Sequence, residues 1–203
     1  LFGLAPIISG TLRMKALSGW MPPAVRWDAG TGMVSEDRST EGLALSMTVA
    51  DNITLTLRKD AGRFGFLSPS RLNDVARVWT ERIGIRSTSP RQLVGALSGG
   101  NQQKVALARL LHEDVDILLL DEPTRGIDVA SKAQLYEIID RLAAGDRSQD
   151  IPPKGILMIS SYLPELLGIC DRIAIMHRGR LGPAHPVHQC TEHMLMLEAT
   201  GQA

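Results

Sequence analysis

The sequence predicts an α/β domain: a parallel, helix-covered sheet carrying a block that is helical only. Three observations lead there. "VDILLLDEP" (115–123) is a short continuous apolar run ending in two carboxylates, the pattern of a strand buried on both faces. "GILMIS" (155–160) and "RIAIMH" (172–177) are two further runs of this kind with a short helical stretch between them, and strand–helix–strand alternation argues for parallel pairing. Residues 70–112, by contrast, show helical periodicity alone, which suggests a lobe of their own.

Taken in order, residues 1–60 mix short apolar runs with Gly and Pro, as small strands and turns do. "TLRMKAL" (11–17) alternates like one exposed strand, and "TGMVSED" (31–37) reads as a strand running into a loop. From Ser70, Leu72, Val75, Ala76, Trp79 and Ile83 share one helical face, which makes Trp79 a core residue. Behind "LSGGNQQK" (97–104), Val105, Ala108 and Leu111 form another stripe. After the 115–123 strand, Leu135, Ile138, Ile139 and Leu142 mark a helix that Gly145 is placed to stop. "DRSQDIPP" (146–153) is a polar surface connection.

The chain has 203 residues, 44 % of them apolar and 22 % charged, which suits one domain with a real core. Twenty-two basic residues balance twenty-two acidic ones, which weighs against nucleic acid as a partner. Two cysteines make no disulfide framework and fit a reducing compartment, where Cys170 reads as a small buried hydrophobe. No apolar run approaches the ~18 residues of a membrane span. The opening "LFGLAPIISG", without Met or a signal peptide, is expected to be a chain cut into rather than started.

Two places carry chemistry. A serine and two glycines opening a helix, Ser98, Gly99 and Gly100, make an anion site from free N–H groups and the helix dipole. Asp121 and Glu122 stand at a strand's carboxyl end, where ligands collect in open α/β sheets, and Pro123 stops the strand. One carboxylate can hold a magnesium ion and the other can polarise an attacking water. The run His185, His188, Cys190 and His193 fits no standard zinc spacing, while His112 and His177 read as flanking elements.

"LSGGNQQK", then "ILLLDEPTRGID", then an apolar strand and "DRIAIMHRG" resemble the ATP-binding subunit of an ABC transporter, in order and over nearly the whole chain. "SEDRSTEGLALSMTVADNITL" (35–55) resembles, more narrowly, the second nucleotide-binding half of the duplicated ATPases serving ribose-, xylose- and galactose-type sugar importers. The resemblance implies an ABC ATPase domain of P-loop NTPase type, with a parallel-sheet core and a helical signature lobe but without the N-terminal P-loop strand. It would divide into residues 1–57, a β-rich part with the Q-loop-equivalent region; 58–112, the helical lobe; 113–183, the Walker B core; and 184–203, a C-terminal tail.

In such proteins two domains close head to tail over two ATP molecules. By resemblance, Ser98, Gly99 and Gly100, with Gln102 nearby, touch the γ-phosphate of an ATP held by the other domain. Asp121 supports magnesium, directly or through water, and Glu122 polarises the attacking water. Asp128 falls in the loop that crosses the dimer interface. Glu36 replaces the usual glutamine and is expected to couple the site to the membrane partner. Two features depart from the pattern. No G-x-x-x-x-G-K-[ST] occurs, so the phosphate loop is expected upstream of Leu1. Ser161 stands where the family places its switch histidine; its hydroxyl can hydrogen-bond a phosphate of ATP but cannot offer the histidine's charge or act as its base.

The implied cofactors are ATP and Mg2+. The implied partners are the first nucleotide-binding half or a second copy, a membrane permease dimer and, indirectly, a periplasmic sugar-binding protein, at the cytoplasmic face of the plasma membrane. The chain alone is expected to be inactive and, lacking a central strand, marginally stable and prone to aggregate. Another reading makes it a catalytically degenerate regulatory and docking domain that completes its partner's ATP site. A third, a soluble ABC-type protein acting on ribosomes or DNA, is disfavoured by the charge balance.

Overall fold

The computed structural model describes residues 1–56 and 68–202; the expected boundary between 57 and 58 lies outside them. The chain divides into two compact units, Leu1–Ile159 and Ser160–Ala203.

The first unit opens with strands β1 (Arg13–Met14) and β2 (Leu17–Ser18), paired antiparallel. "TLRMKAL" is therefore a tight hairpin and not one strand. Its turn is built at Lys15, whose φ is +53° and whose ammonium donates to Ala29 O at 2.9 Å and pairs with Asp116. Helix α1 (Pro23–Asp28) leads into β3 (Thr31–Val34). A turn over Arg38–Gly42 follows, then α2 (Val49–Ile53), whose Thr48 and Asp51 form a reciprocal capping box. Helices α3 (Pro69–Ile83) and α4 (Gly99–His112) come next. Strand β4 (Ile117–Asp121), helix α5 (Val129–Ala144) and strand β5 (Gly155–Ile159) complete the unit.

The three strands β3, β4 and β5 lie parallel with β4 central. Helix α4 is the hub: it packs on α2, α3, α5 and β3. That crowding explains why burial extends beyond the expected stripe of Val105, Ala108 and Leu111 to Ala106, Leu107 and Leu110. Lys104, only 5 % exposed, donates to Gly84 O at 2.9 Å and to Gln134 Oε1 at 2.8 Å, so one ammonium ties α3, α4 and α5 together. Burial and the neighbouring Arg86 charge lower its pKa. Trp79 is core as expected and donates its indole N–H to His112 Nδ1 at 3.2 Å. Gly145 ends α5 with φ +80°.

Strand β5 corrects an expectation. It is not buried on both faces: Leu157 and Ile159 are 42 % and 46 % exposed, while Ile156 and Met158 are half-buried. Among the described residues β5 pairs only with β4, so it is an edge, and the face that carries Leu157 and Ile159 is left open to solvent.

The second unit contains α6 (Leu163–Ile169), β6 (Arg172–Ile173), β7 (Met176–His177), β8 (Arg180–Leu181), β9 (His185–Pro186) and α7 (Glu192–Thr200). "RIAIMH" is thus no continuous parallel strand. It splits into β6, antiparallel to β9, and β7, antiparallel to β8. The break falls between Ile173 and Met176, and a turn at Arg178 and Gly179, both with positive φ, folds β8 straight back on β7. Residues 184–203, expected as a tail, carry β9 and α7, with Leu195 fully buried and α7 packed on α6 and β7. His185 Nε2 lies 3.2 Å from a Glu198 carboxylate oxygen, and His177 Nδ1 lies 2.7 Å from Ala199 O near the end of α7. Cys170 is half-buried, and burial pushes its thiol pKa up.

Candidate functional site: the signature turn and the strand-end carboxylates

The carboxyl ends of β3 and β4 release two loops, 35–38 and 122–128, and the start of α4 meets both. Arg38 makes the junction. Its Nη1 donates to Gly99 O at 3.2 Å and to Gln103 Oε1 at 3.4 Å. Glu36, two residues earlier, forms an ion pair with Arg125 of the second loop. The segment "SEDR" is therefore fastened on one side to the signature helix and on the other to "TRGID". Asp37 turns the opposite way, accepting the N–H groups of Ser39 and Thr40.

The two signature glycines have a packing reason to be glycines. A Cβ on Gly100 would lie 2.5 Å from the Ser131 side chain at the start of α5, and one on Gly99 would lie 3.2 Å from Gly126 O. The N-termini of α4 and α5 thus stand side by side. Asp128 caps α5, accepting Ser131 N–H at 2.9 Å and the Ser131 hydroxyl at 2.7 Å, and those bonds hold its carboxyl below the usual range. Helix α4 differs. Ser98 occupies the N-cap position with extended backbone, yet makes no side-chain cap bond, so the first-turn N–H groups have no side-chain acceptor. Gln102 turns back, its amide nitrogen 3.3 Å from Val94 O and 3.2 Å from Leu97 O, where it holds the short helical turn Val94–Ala96 against α4.

At the end of β4, Asp121 is still strand while Glu122 takes φ +43°. A left-handed glutamate costs roughly 1–3 kcal/mol, and it breaks the strand alternation immediately after Asp121. Two bonds hold it: Glu122 N–H donates to Ile159 O at 2.9 Å, and Arg125 N–H donates to Glu122 O at 3.1 Å around Pro123. Burial first, then the charges of Glu122 and Glu41, push the Asp121 carboxyl up. Glu41 itself accepts the Ser35 hydroxyl at 2.6 Å.

The structure therefore brings Glu36, Ser98, Gly99, Gly100, Gln102, Asp121, Glu122 and Asp128 onto elements of one unit. Ser161 belongs to the second unit and is exposed; beside it Ser160 donates to Glu165 at 2.6 Å. Sequence reading missed Arg38, Arg125 and Glu41. The available signal was charge: Arg38 ends "SED" and Arg125 opens "RGID", so each arginine adjoins an acidic motif.

A family model described as ABC transporter matches residues 1–125. The chain is 40 % identical over 202 residues to the ribose import ATP-binding protein RbsA of Lactococcus lactis subsp. cremoris, covering 99 % of this chain and 40 % of that protein. It is 46 % identical over 175 residues to the putative ribose/galactose/methyl galactoside import ATP-binding protein 3 of Burkholderia cenocepacia, covering 86 % and 33 %. The chain thus spans about 40 % of the length of the first of these relatives. Among solved structures it resembles an ATP-binding cassette dimer in a post-hydrolysis state with ADP and Pi, with a TM-score of 0.70, 18 % identity and coverage of 92 % and 77 %. It also resembles an inward-facing putative metal-chelate type ABC transporter, with a TM-score of 0.67, 15 % identity and coverage of 85 % and 64 %. The fold is that of ABC ATPase domains, of P-loop NTPase class, and the chain belongs to the ABC transporter ATP-binding family.

Proposed function

We propose that this domain is the second nucleotide-binding half of a carbohydrate importer's ATPase subunit, working with a first half or a second copy at the cytoplasmic face of the membrane. The relatives named for ribose and galactose import support the substrate class, and a permease dimer and a sugar-binding protein follow as partners. One observation carries the site. Ser98 stands at the head of a 14-residue helix without capping it, so its hydroxyl and the first-turn N–H groups stay available to an anion. That anion is the γ-phosphate of an ATP bound by the partner domain, contacted by Ser98, Gly99 and Gly100 and supported by Gln102.

The other set of residues serves the ATP site on this domain's own side. Asp121 fits magnesium through water: its carboxyl is disfavoured as an anion by burial first and then by the charges of Glu122 and Glu41, and a bound cation would offset both. No group of three or more metal-binding side chains exists among the described residues, which suits an ion that keeps waters and phosphate oxygens as ligands. An ion held there by Asp121 would supply charge neutralisation for the transferring phosphoryl group. Glu122, set at an angle by its left-handed backbone, orients and polarises the water that attacks the γ-phosphorus in line. Asp128 carries its cap to the interface loop, and Glu36 with Arg125 couples that loop to the strand end.

A second reading, a docking domain that completes only its partner's site, is favoured by Ser161 at the switch position. Glu122→Gln in the intact subunit separates the two. A catalytic Glu122 makes turnover fall by a hundredfold or more, on the order of what one transition-state group supplies. Unchanged turnover overturns the catalytic role and leaves the docking role.

A further inference from the structure

Within the signature turn, Asn101 does something its position in a helix's first turn does not require. Its Oδ1 accepts the Arg86 backbone N–H at 2.8 Å, and its Nδ2 lies 2.9 Å from Ser98 Oγ. These two contacts have only one consistent polarity. A backbone N–H can only donate, so the amide oxygen must face Arg86 and the amide nitrogen must face Ser98. An amide nitrogen can only donate in turn, so Ser98 Oγ accepts there. The hydroxyl proton is then left over, on an exposed residue, with no helix N–H drawing on the oxygen.

We infer that Asn101 is a positioning residue which presets the Ser98 hydroxyl as a hydrogen-bond donor toward the γ-phosphate. The inference rests on the proposed role of the signature turn and adds to it the polarity of its serine. A free serine hydroxyl spends part of its time offering lone pairs outward, which repels a phosphate oxygen; the Asn101 amide removes that orientation. Arg86, in the connection that follows α3, holds the amide through its main chain, so the setting does not depend on the Arg86 side chain.

The test uses the intact importer subunit and its ATP dependence, measured as kcat/KM for ATP, with the thermal transition of each variant as a check on folding. Ser98→Ala first tests the underlying reading: a fall of about 10- to 100-fold is expected for one lost phosphate donor, and an unchanged value means the turn does not touch phosphate. Asn101→Ala then tests the inference. In the wild-type background it lowers kcat/KM several-fold; in the Ser98→Ala background it adds nothing, because there is no hydroxyl left to orient. An equal loss in both backgrounds makes Asn101 merely structural and overturns the inference, as does no loss in either while Ser98→Ala remains impaired. Should Asn101→Ala fail to fold, Asn101→Asp keeps the acceptor for Arg86 N–H but takes the Ser98 proton, so it lowers kcat/KM more than Ser98→Ala does. A value at or above that of Ser98→Ala again overturns it.

Discussion

The signature turn and strand β5 make an instructive pair. Both flank the β4 carboxyl end, yet one is a polar motif held by several neighbours while its leading serine hydroxyl stays open, and the other is an apolar strand standing half in solvent. Around Ser98–Lys104, Arg38, Asn101, Gln102 and Lys104 each hold main chain or side chains of another segment, and Gly100 touches Ser131. Along β5, Leu157 and Ile159 are exposed although their chemistry favours burial. Hydropathy describes what a residue prefers, while burial depends on what lies across from it. The wall proposed to face a partner's nucleotide is consequently the more extensively hydrogen-bonded of the two.

The contrast predicts unequal costs, and the largest belongs to the turn. Gly100→Ala should lower stability by roughly 1–3 kcal/mol, because the added methyl meets Ser131 with no free volume between two helix starts. Ser131→Gly in the same chain should recover part of that loss: it removes the Cβ and Oγ that clash and leaves the N–H donated to Asp128, but gives up the hydroxyl bond to Asp128 and adds a helix glycine. Denaturant midpoints of the single and double variants measure this. A double variant no better than Gly100→Ala alone would mean that the glycine is needed for another reason.

A smaller effect of opposite sign is expected between the two regions, at Asp121. Its raised pKa means that the folded chain prefers the protonated form. The associated stability is complete below the ordinary carboxylate pKa and is lost as pH rises through the raised value. At neutral pH the ionised carboxylate is therefore a cost. Asp121→Asn should raise the stability of the metal-free domain at pH 7, and the gain should fade as pH falls below about 4, the ordinary carboxylate range. A gain independent of pH would remove ionisation of the buried, crowded Asp121 carboxyl as its cause.

The smallest change is expected on β5. Leu157→Lys should alter the thermal midpoint little, on the order of 0.5 kcal/mol or less, because the side chain already lies largely in water. It should nevertheless reduce aggregation of the isolated chain, since a lysine on an edge strand discourages pairing with another copy. Light scattering during heating reads this directly. A loss of several degrees in Tm would show that Leu157 is packed in solution.

Legibility followed how local each signal was. Helices α3, α4 and α5 could be read from their apolar faces, and β4 from four consecutive apolar residues, because each signal lies within one turn or strand. The "RIAIMH" segment misled because its partners, Arg180–Leu181 and His185–Pro186, come afterwards and fold back on it. "TLRMKAL" misled because Lys15 reaches Asp116, about one hundred residues away, and turns the backbone there. Of the candidate site, the motifs were legible as residue types at a spacing, which is how Ser98, Asp121 and Glu122 were singled out as candidates. Arg38 and Arg125 were not, since their partners lie 61 and 89 positions distant in the chain.

The sequence by itself determined which residues make the two motifs, the helical faces that pack around α4 and the charge balance of the whole. Only the tertiary structure decided that Gly100 must lack a side chain, that Glu122 departs from the strand by a left-handed step and that Asn101 leaves the Ser98 proton free. Composition and periodicity act through neighbours along the chain. Steric closeness and hydrogen-bond polarity act through neighbours in space, and these exist only once α4, α5 and the two loops have come together.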